Sequence, residues 1–232
     1  DLCETISLSH DLGHTPFGHA GEHALNDCMK LYGGFDHNIQ TIRIVTLLEN
    51  KYYNFKGLNL SIETIDGLVK HNGRVLNQDK FNRILGKKFF KNKINYLKSP
   101  SLEAQLAAIS DDIAYNSHDL EDGLRAKLYT IEDLKNIPVL SRIINKHKKF
   151  IKLKGSELVL RQIIRSIINE MVNDIILNTK NNIKKQKIDS IKDIYNSKIL
   201  LVSFSKQMKL FDKSIKSFLR DKMYYNKDVL KK

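Results

Sequence analysis

The stretch His10-Asp11-Leu12-Gly13-His14-Thr15-Pro16-Phe17-Gly18-His19 decides how this chain of 232 residues is interpreted. It contains three histidines and one carboxylate within ten residues. The adjacent His10 and Asp11 offer an imidazole nitrogen and a carboxylate oxygen, a donor set that suits Mg, Mn, Fe, Co or Zn better than thiolates would. Two glycines and a proline favour a tight loop. We therefore predict a helix that ends at this pair and a loop that directs His14 and His19 towards a metal-bound group.

The overall composition predicts an all-α protein, a helical bundle with additional C-terminal helices. The chain is 41% hydrophobic and 28% charged, as soluble proteins usually are. Only three prolines and eleven glycines interrupt it, which favours long helices. No apolar run approaches the roughly 18 residues of a transmembrane helix, so no membrane association is expected. Two cysteines are too few for a disulfide framework, and a reducing cytoplasm is the expected location.

The net charge of +13 is unevenly distributed along the chain. Residues 1–145 contain 17 Lys and Arg against 18 Asp and Glu, whereas residues 146–232 contain 22 against 8. A basic half attracts polyanions, such as nucleic acid or a phosphate-bearing substrate. The alternative is a solvated basic face, because a tail rich in Lys, Ile and Asn is also typical of an AT-rich genome.

A second basic feature lies between residues 74 and 100. Lysines alternate there with aromatic side chains, namely Phe81, Phe89, Phe90 and Tyr96. Such interleaving is typical of surfaces that bind single-stranded nucleic acid, and single-stranded nucleic acid is therefore one possible partner. The same pattern also describes an ordinary amphipathic flap.

Two further positions suit proton transfer and phosphate binding. His19 and Glu22 are three residues apart and share one helix face, which suits a proton-transfer pair. Lys70 lies at the end of a helix that Ser61 is predicted to cap. A lysine there either pairs with a phosphate or neutralises the C-terminus of its own helix.

A helix beginning near Ser101 is predicted to carry the second half of the site. Four apolar residues fall within about 60° of one another and form one stripe, Leu102, Leu106, Ile109 and Ile113. Asp111 and Tyr115 lie on the opposite side, together with Ala104 and Ala108. Small alanines beside these two residues indicate a cleft wall rather than a solvated surface.

The spacing within this helix brings three chemically useful residues into line. Asp111, Tyr115 and Asp119 are each four residues apart, so they share one stripe. Asp112 is the competing metal ligand, but its angle turns it towards the flank of the helix.

Two motifs, HDLGHTPFGHAGE at residues 10–22 and DDIAYNSHD at residues 111–119, resemble the HD-domain deoxynucleotide triphosphohydrolases, the bacterial dGTPase-like group. The resemblance covers about residues 1–127, the expected HD phosphohydrolase core, and leaves residues 128–232 as a basic C-terminal helical region. It implies an HD-domain helical bundle that hydrolyses deoxynucleoside triphosphates, dGTP-like, to a deoxynucleoside and tripolyphosphate. It also implies a divalent metal ion, which would be Mn, Mg, Fe or Co.

The resemblance assigns residues to three roles. The implied metal ligands are His10, Asp11 and Asp111. The implied catalytic residues are His19, Glu22 and His37, the last within the segment FDHN. The substrate neighbours are His14 in the loop, Lys70 within GLVKHNG, Tyr115 at the sugar and Asp119 at the phosphate end.

The sequence departs from the family in one respect. Relatives take a first metal-binding His, and a neighbouring Arg that holds phosphate, from a segment before the HD motif, and this sequence begins nine residues before His10. The chain is therefore expected to be shortened at its N-terminus, with impaired activity. Two alternatives remain: an inactive remnant that binds nucleic acid through its basic half, and an HD phosphohydrolase for another nucleotide phosphoester. Relatives form rings, so a homo-oligomer is expected, with the apolar C-terminal helices as an interface.

Overall fold

The computed structural model describes residues 1–85, 93–151 and 156–230. Within these ranges the secondary structure is helical and no strand forms, which confirms the all-α prediction. The α-helices are α1 Leu2–Ser9, α2 Gly18–Cys28, α3 His37–Arg43, α4 Ile62–Lys70, α5 Asp79–Leu85, α6 Leu102–Arg125, α7 Ile131–Leu134, α8 Pro138–Ile151, α9 Ser156–Lys185, α10 Ile191–Asn196, α11 Lys206–Leu219 and α12 Lys227–Leu230. A 3₁₀ turn spans Lys30–Tyr32, and π-helical turns span Ile44–Leu48 and Arg220–Tyr224.

The chain divides into two compact units. The first comprises Asp1–Ala108 and Gln186–Leu201, and the second comprises Ile109–Lys185 and Val202–Lys232. The boundary falls within α6, whereas the predicted functional division falls at residue 127. That functional division into a phosphohydrolase core and a basic region stays a prediction.

The first unit is built around α1, α3 and α4. Its buried core consists of apolar residues from these helices and from the start of α6, namely Ile6, Ile42, Val45, Ile65, Leu68, Val69, Ile94, Ala104 and Ala107. Gly67 permits the close approach of α1 and α4, because a Cβ atom there would lie 2.3 Å from Cδ1 of Ile6. Leu8 is 77% exposed and does not join this core.

The start of α6 corrects the predicted apolar stripe. Leu106, expected to be buried, is 40% exposed, whereas Ala104 is fully buried. The early part of this helix therefore packs through its small residues, because an alanine lets the backbone of α6 approach the core closely. Ile113, further along, is buried as predicted.

The second unit is organised by α8, α9 and α11. The buried residues of α11 recur at helical spacing, namely Met208, Phe211, Ile215 and Leu219. Asp174 on α9 accepts hydrogen bonds from the backbone nitrogen (2.8 Å) and hydroxyl (2.6 Å) of Ser205, the N-cap of α11. No helix in the described ranges is both long enough and apolar enough to cross a membrane.

The helix boundaries follow local capping chemistry. The side chain of Ser61 accepts a hydrogen bond from the backbone nitrogen of Thr64 and starts α4, as predicted. Thr130 and Asp133 form a capping box at the start of α7, and α8 begins at Pro138. A second capping box, between Ser190 and Asp193, begins α10.

Candidate active site

The loop after α1 is fixed against α3 by its backbone. The amide of Gly13 donates to the hydroxyl of Thr41 at 2.9 Å, and that hydroxyl donates to the carbonyl oxygen of His10 at 2.9 Å. A Cβ atom at Gly13 would lie only 2.3 Å from the carbonyl oxygen of His37. Glycine is therefore required at this point, because a side chain would push the loop away from α3.

His10 and Asp11 form the pair that the sequence predicts to hold a metal. Nε2 of His10 lies 3.7 Å from a carboxylate oxygen of Asp11. Nδ1 of His10 lies 2.9 Å from the carbonyl oxygen of Ser7, so this nitrogen carries the proton and Nε2 keeps its lone pair. An oriented imidazole beside a carboxylate fits the oxygen- and nitrogen-binding divalent ions. The ring of His71 packs against His10, with centroids 5.3 Å apart.

Three predicted site histidines meet in the first unit. The rings of His14 and His37 are stacked with centroids 4.8 Å apart, and His19 lies 5.3 Å from His14 and 6.0 Å from His37. One ring nitrogen from each of the three lies within 4.8 Å of the others. The tight loop and the start of α2 bring together residues that the sequence separates by as many as 23 positions.

Glu22 connects this group. One carboxylate oxygen lies 2.8 Å from Nδ1 of His37 and accepts the backbone amide of the same residue at 2.9 Å, while the other oxygen lies 3.3 Å from Nδ1 of His19. Burial alone would raise the pKa of Glu22, but the hydrogen bonds from His37 and His19 outweigh it and lower the pKa to about 2. Glu22 is therefore ionised at neutral pH.

Lys70 and His71 end α4 with their side chains buried. The ammonium of Lys70 lies 2.6 Å from Asp66, and it also lies 5.6 Å from the ring centroid of Tyr195. Nδ1 of His71 lies 2.8 Å from the carbonyl oxygen of Leu68, and burial lowers the pKa of its imidazole. The substrate contact assigned to Lys70 stays a prediction, and the structure also gives this residue a buried ion pair.

In the second unit, the two neighbouring aspartates of α6 differ in their surroundings. The carboxylate of Asp112 lies 2.9 Å from the ammonium of Lys216, which also lies 3.2 Å from Asp212. Asp111 is exposed on the same helix. Lys216 thus pairs with Asp112, and the role of Asp111 as a metal ligand stays a prediction.

Tyr115 and Asp119, the predicted sugar and phosphate neighbours, share a partner that the sequence analysis missed. The hydroxyl of Tyr224 donates to the carboxylate of Asp119, and its ring stacks on Tyr115 with centroids 6.1 Å apart. Burial raises the pKa of Asp119 despite this hydrogen bond. Tyr224 lies 105 residues from Asp119, and no local pattern in the sequence links the two.

Part of the lysine-rich segment predicted to bind nucleic acid lies outside the described residues. Residues 86–92 include Phe89 and Phe90 and are not described. Phe81 and Tyr96 are described, and their rings pack against each other with centroids 5.9 Å apart in the first unit.

The relatives found by comparison with known proteins share one name. No family model matches the sequence. Three proteins named "Deoxyguanosinetriphosphate triphosphohydrolase-like protein" are similar to it over nearly all its residues. The Pelagibacter ubique (strain HTCC1062) protein is 56% identical over 232 residues, which are 100% of this chain and 62% of that protein. The Bartonella tribocorum protein is 44% identical and the Rickettsia felis protein 40% identical, each over 99% of this chain and 58% and 59% of their own lengths.

The chain thus spans about three fifths of the length of the curated relatives it matches. Their shared name agrees with the resemblance of the two motifs at residues 10–22 and 111–119. The chain is therefore a homologue of the deoxyguanosinetriphosphate triphosphohydrolase-like proteins.

Proposed function

We propose that this chain is the catalytic part of a hydrolase of phosphoric esters that converts deoxynucleoside triphosphates, dGTP-like, to a deoxynucleoside and tripolyphosphate. The observation that carries the proposal is the cluster of His14, His19 and His37, two of which bond to the ionised Glu22, together with the oriented His10–Asp11 pair. The names of the relatives support the same reaction.

The metal would be held by His10, Asp11 and Asp111, and Mn, Mg, Fe or Co suits this mixed nitrogen and oxygen donor set. When bound, such an ion withdraws charge from the phosphate nearest the sugar. The hydrogen bond from Nδ1 of His10 to Ser7 keeps Nε2 available as a ligand.

His19 is the proposed general base. Its Nδ1 faces the carboxylate of Glu22, so Nε2 is free to accept a proton from a water that attacks the phosphorus. The ionised Glu22 then stabilises the imidazolium that forms. His37 holds the other oxygen of Glu22 and keeps the carboxylate in position. The bond between this phosphorus and the 5′ oxygen breaks, the 5′ oxygen takes a proton from solvent and leaves as the deoxynucleoside, and the oxygen of the attacking water stays on the tripolyphosphate.

Four residues are proposed to contact the substrate. Tyr115 would pack against the deoxyribose and disfavour a 2′-hydroxyl by crowding, and Asp119 would lie at the phosphate end. His14 would contact the phosphates from the loop. Lys70 is the weakest of these assignments, because its ammonium already pairs with Asp66.

The test is turnover of dGTP and the other deoxynucleoside triphosphates with Mn²⁺, with the products separated by ion-exchange chromatography. We expect a deoxynucleoside and tripolyphosphate from the wild type, and a loss of about 10³-fold or more in Asp11→Ala and Asp111→Ala. His23→Ala is the matched control, because His23 is exposed on α2 and has no assigned role.

Other outcomes would redirect the proposal. Release of pyrophosphate or a single phosphate would indicate an HD phosphohydrolase for another phosphoester. A folded chain without metal-dependent turnover, but with DNA affinity that falls steeply with salt, would indicate a nucleic-acid-binding remnant that uses its basic half. A cytoplasmic location and a homo-oligomer stay predictions. Neither cysteine forms a disulfide bond.

A further inference from the structure

His14, His19 and His37, here called the histidine triad, have a geometry that goes beyond proton transfer. One ring nitrogen from each lies within 4.8 Å of the other two. Nitrogen ligands around a tetrahedral Zn²⁺ lie about 3.3 Å from one another, given a metal–nitrogen distance of about 2.0–2.1 Å. Each ring would have to move by less than about 1 Å to meet one ion, a shift within the reach of side-chain rotation.

The hydrogen bonds of the triad leave its nitrogens suited to binding metal. Nδ1 of each ring faces an oxygen: the carbonyl of Thr15 at 3.3 Å for His14, and the Glu22 carboxylate at 3.3 Å for His19 and 2.8 Å for His37. A proton on Nδ1 leaves the lone pair on Nε2. This arrangement of carboxylate, histidine and metal is common in zinc proteins, where the outer oxygen orients the ring and makes it more basic.

The triad also differs from the His10–Asp11 pair in ligand chemistry and accessibility. Its potential ligands are all imidazoles, which suit Zn²⁺, Ni²⁺, Co²⁺ or Cu²⁺, whereas Mg²⁺ and Mn²⁺ prefer carboxylate oxygens. The side chain of His19 is 70% exposed, so an ion has a path to it from solvent. Three protein ligands leave a fourth position for water.

We propose that the histidine triad binds a transition-metal ion of the Zn²⁺ class, at a site separate from the His10–Asp11 pair. The ion takes one ring nitrogen from each of the three histidines, and Glu22 bonds to two of the three rings. This binding does not depend on the hydrolysis proposed above. An ion at the triad removes the lone pair with which His19 would accept a proton, so the same ion is expected to inhibit that reaction.

The experiment measures Zn²⁺ bound to the full purified chain by equilibrium dialysis and elemental analysis, with Co²⁺ absorption as a report on tetrahedral coordination. The variant His19→Ala removes an exposed ligand and should leave the fold intact, which circular dichroism checks. We expect it to lose the triad ion, with affinity lowered by more than about 100-fold. Asp11→Ala and the control His23→Ala are expected to keep that ion.

Two further variants sharpen the result. His14→Ala should have the same effect as His19→Ala, and Glu22→Gln should weaken the site by about 10- to 100-fold while all three ligands remain. The proposal is overturned if the wild type binds no Zn²⁺, if both histidine variants bind it as the wild type does, or if Asp11→Ala alone abolishes binding. Because the readout is metal content, a chain without turnover still gives a decisive answer.

Discussion

Helices α2 and α4 belong to the same unit and both carry predicted site residues, yet they are held in opposite ways. All but two of the nine residues of α4 are buried, from Thr64 to Lys70. None of the eleven residues of α2 is buried. α4 is held by apolar packing, whereas α2 is held by polar contacts and by a close backbone approach.

The difference explains where chemistry is available in the first unit. On α2, His19 and Glu22 face one another at the surface, and a Cβ atom at Gly21 would lie only 1.9 Å from the carbonyl oxygen of Pro16. On α4, the charged Asp66 and Lys70 satisfy each other inside the protein. The open helix thus presents groups to a ligand, and the buried helix supports the structure behind it.

The largest expected effect is on α4. Lys70→Met removes the ammonium and leaves Asp66 buried without its ionic partner, so we expect a loss of about 3 kcal/mol in the free energy of unfolding. Urea denaturation measures this change. Adding Asp66→Asn to the same chain should restore most of the loss, because both charges then leave the interior together. If Lys70→Met alone were as stable as the wild type, the ion pair of Asp66 and Lys70 would be solvated, and α4 would resemble α2.

The next effect compares the two helices through their glycines. Gly21→Ala should cost about 2–3 kcal/mol, because the new methyl group meets a backbone carbonyl that cannot rotate away. Gly67→Ala should cost less, about 1–2 kcal/mol, because the new methyl group meets the buried side chain of Ile6, which can shift further than a backbone carbonyl, and alanine favours the helix. Denaturation midpoints give the order. If Gly67→Ala cost more than Gly21→Ala, the close backbone contact between Gly21 and Pro16 would not be what holds α2 in place.

The smallest effect is a difference in pH dependence between two carboxyl groups. The pKa of Glu22 falls from 4.5 to about 2 in the folded chain. The contribution of Glu22 to the stability of the fold is therefore present above pH 4.5 and is lost as the pH falls towards 2. We expect this contribution to the free energy of unfolding to be about 1–2 kcal/mol after solvent screening has reduced it. The stability difference between wild type and Glu22→Gln should therefore shrink over this acidic range.

Asp66 should show the opposite slope. Burial raises the pKa of Asp66 even though Lys70 opposes that change. Its contribution is therefore present below the usual carboxyl pKa and is lost as the pH rises through the raised value. The difference between wild type and Asp66→Asn should be greatest in acid and should shrink as the pH rises. Parallel slopes in the two variants would contradict the contrast between α2 and α4.

Capping residues and helix periodicity predicted much of the fold because these signals act over a few neighbouring residues. Ser61 starts α4 as expected, Thr130 and Ser205 cap α7 and α11 in the same way, and the spacing of apolar residues in α11 matches its buried face. The stripe containing Leu106 was wrong, because the start of α6 is buried through Ala104 instead. Periodicity gives the faces of a helix, but not which face a neighbouring helix covers.

The sequence by itself determined the helical class, a few helix boundaries and the residue types of the candidate site, because each depends on local spacing and side-chain chemistry. Tertiary structure decided the rest. It joined the three imidazoles and linked two of them to Glu22, buried the ammonium of Lys70, and brought Tyr224 to Asp119 across 105 residues. These outcomes depend on contacts between segments far apart in the chain, and local propensity carries no information about such contacts.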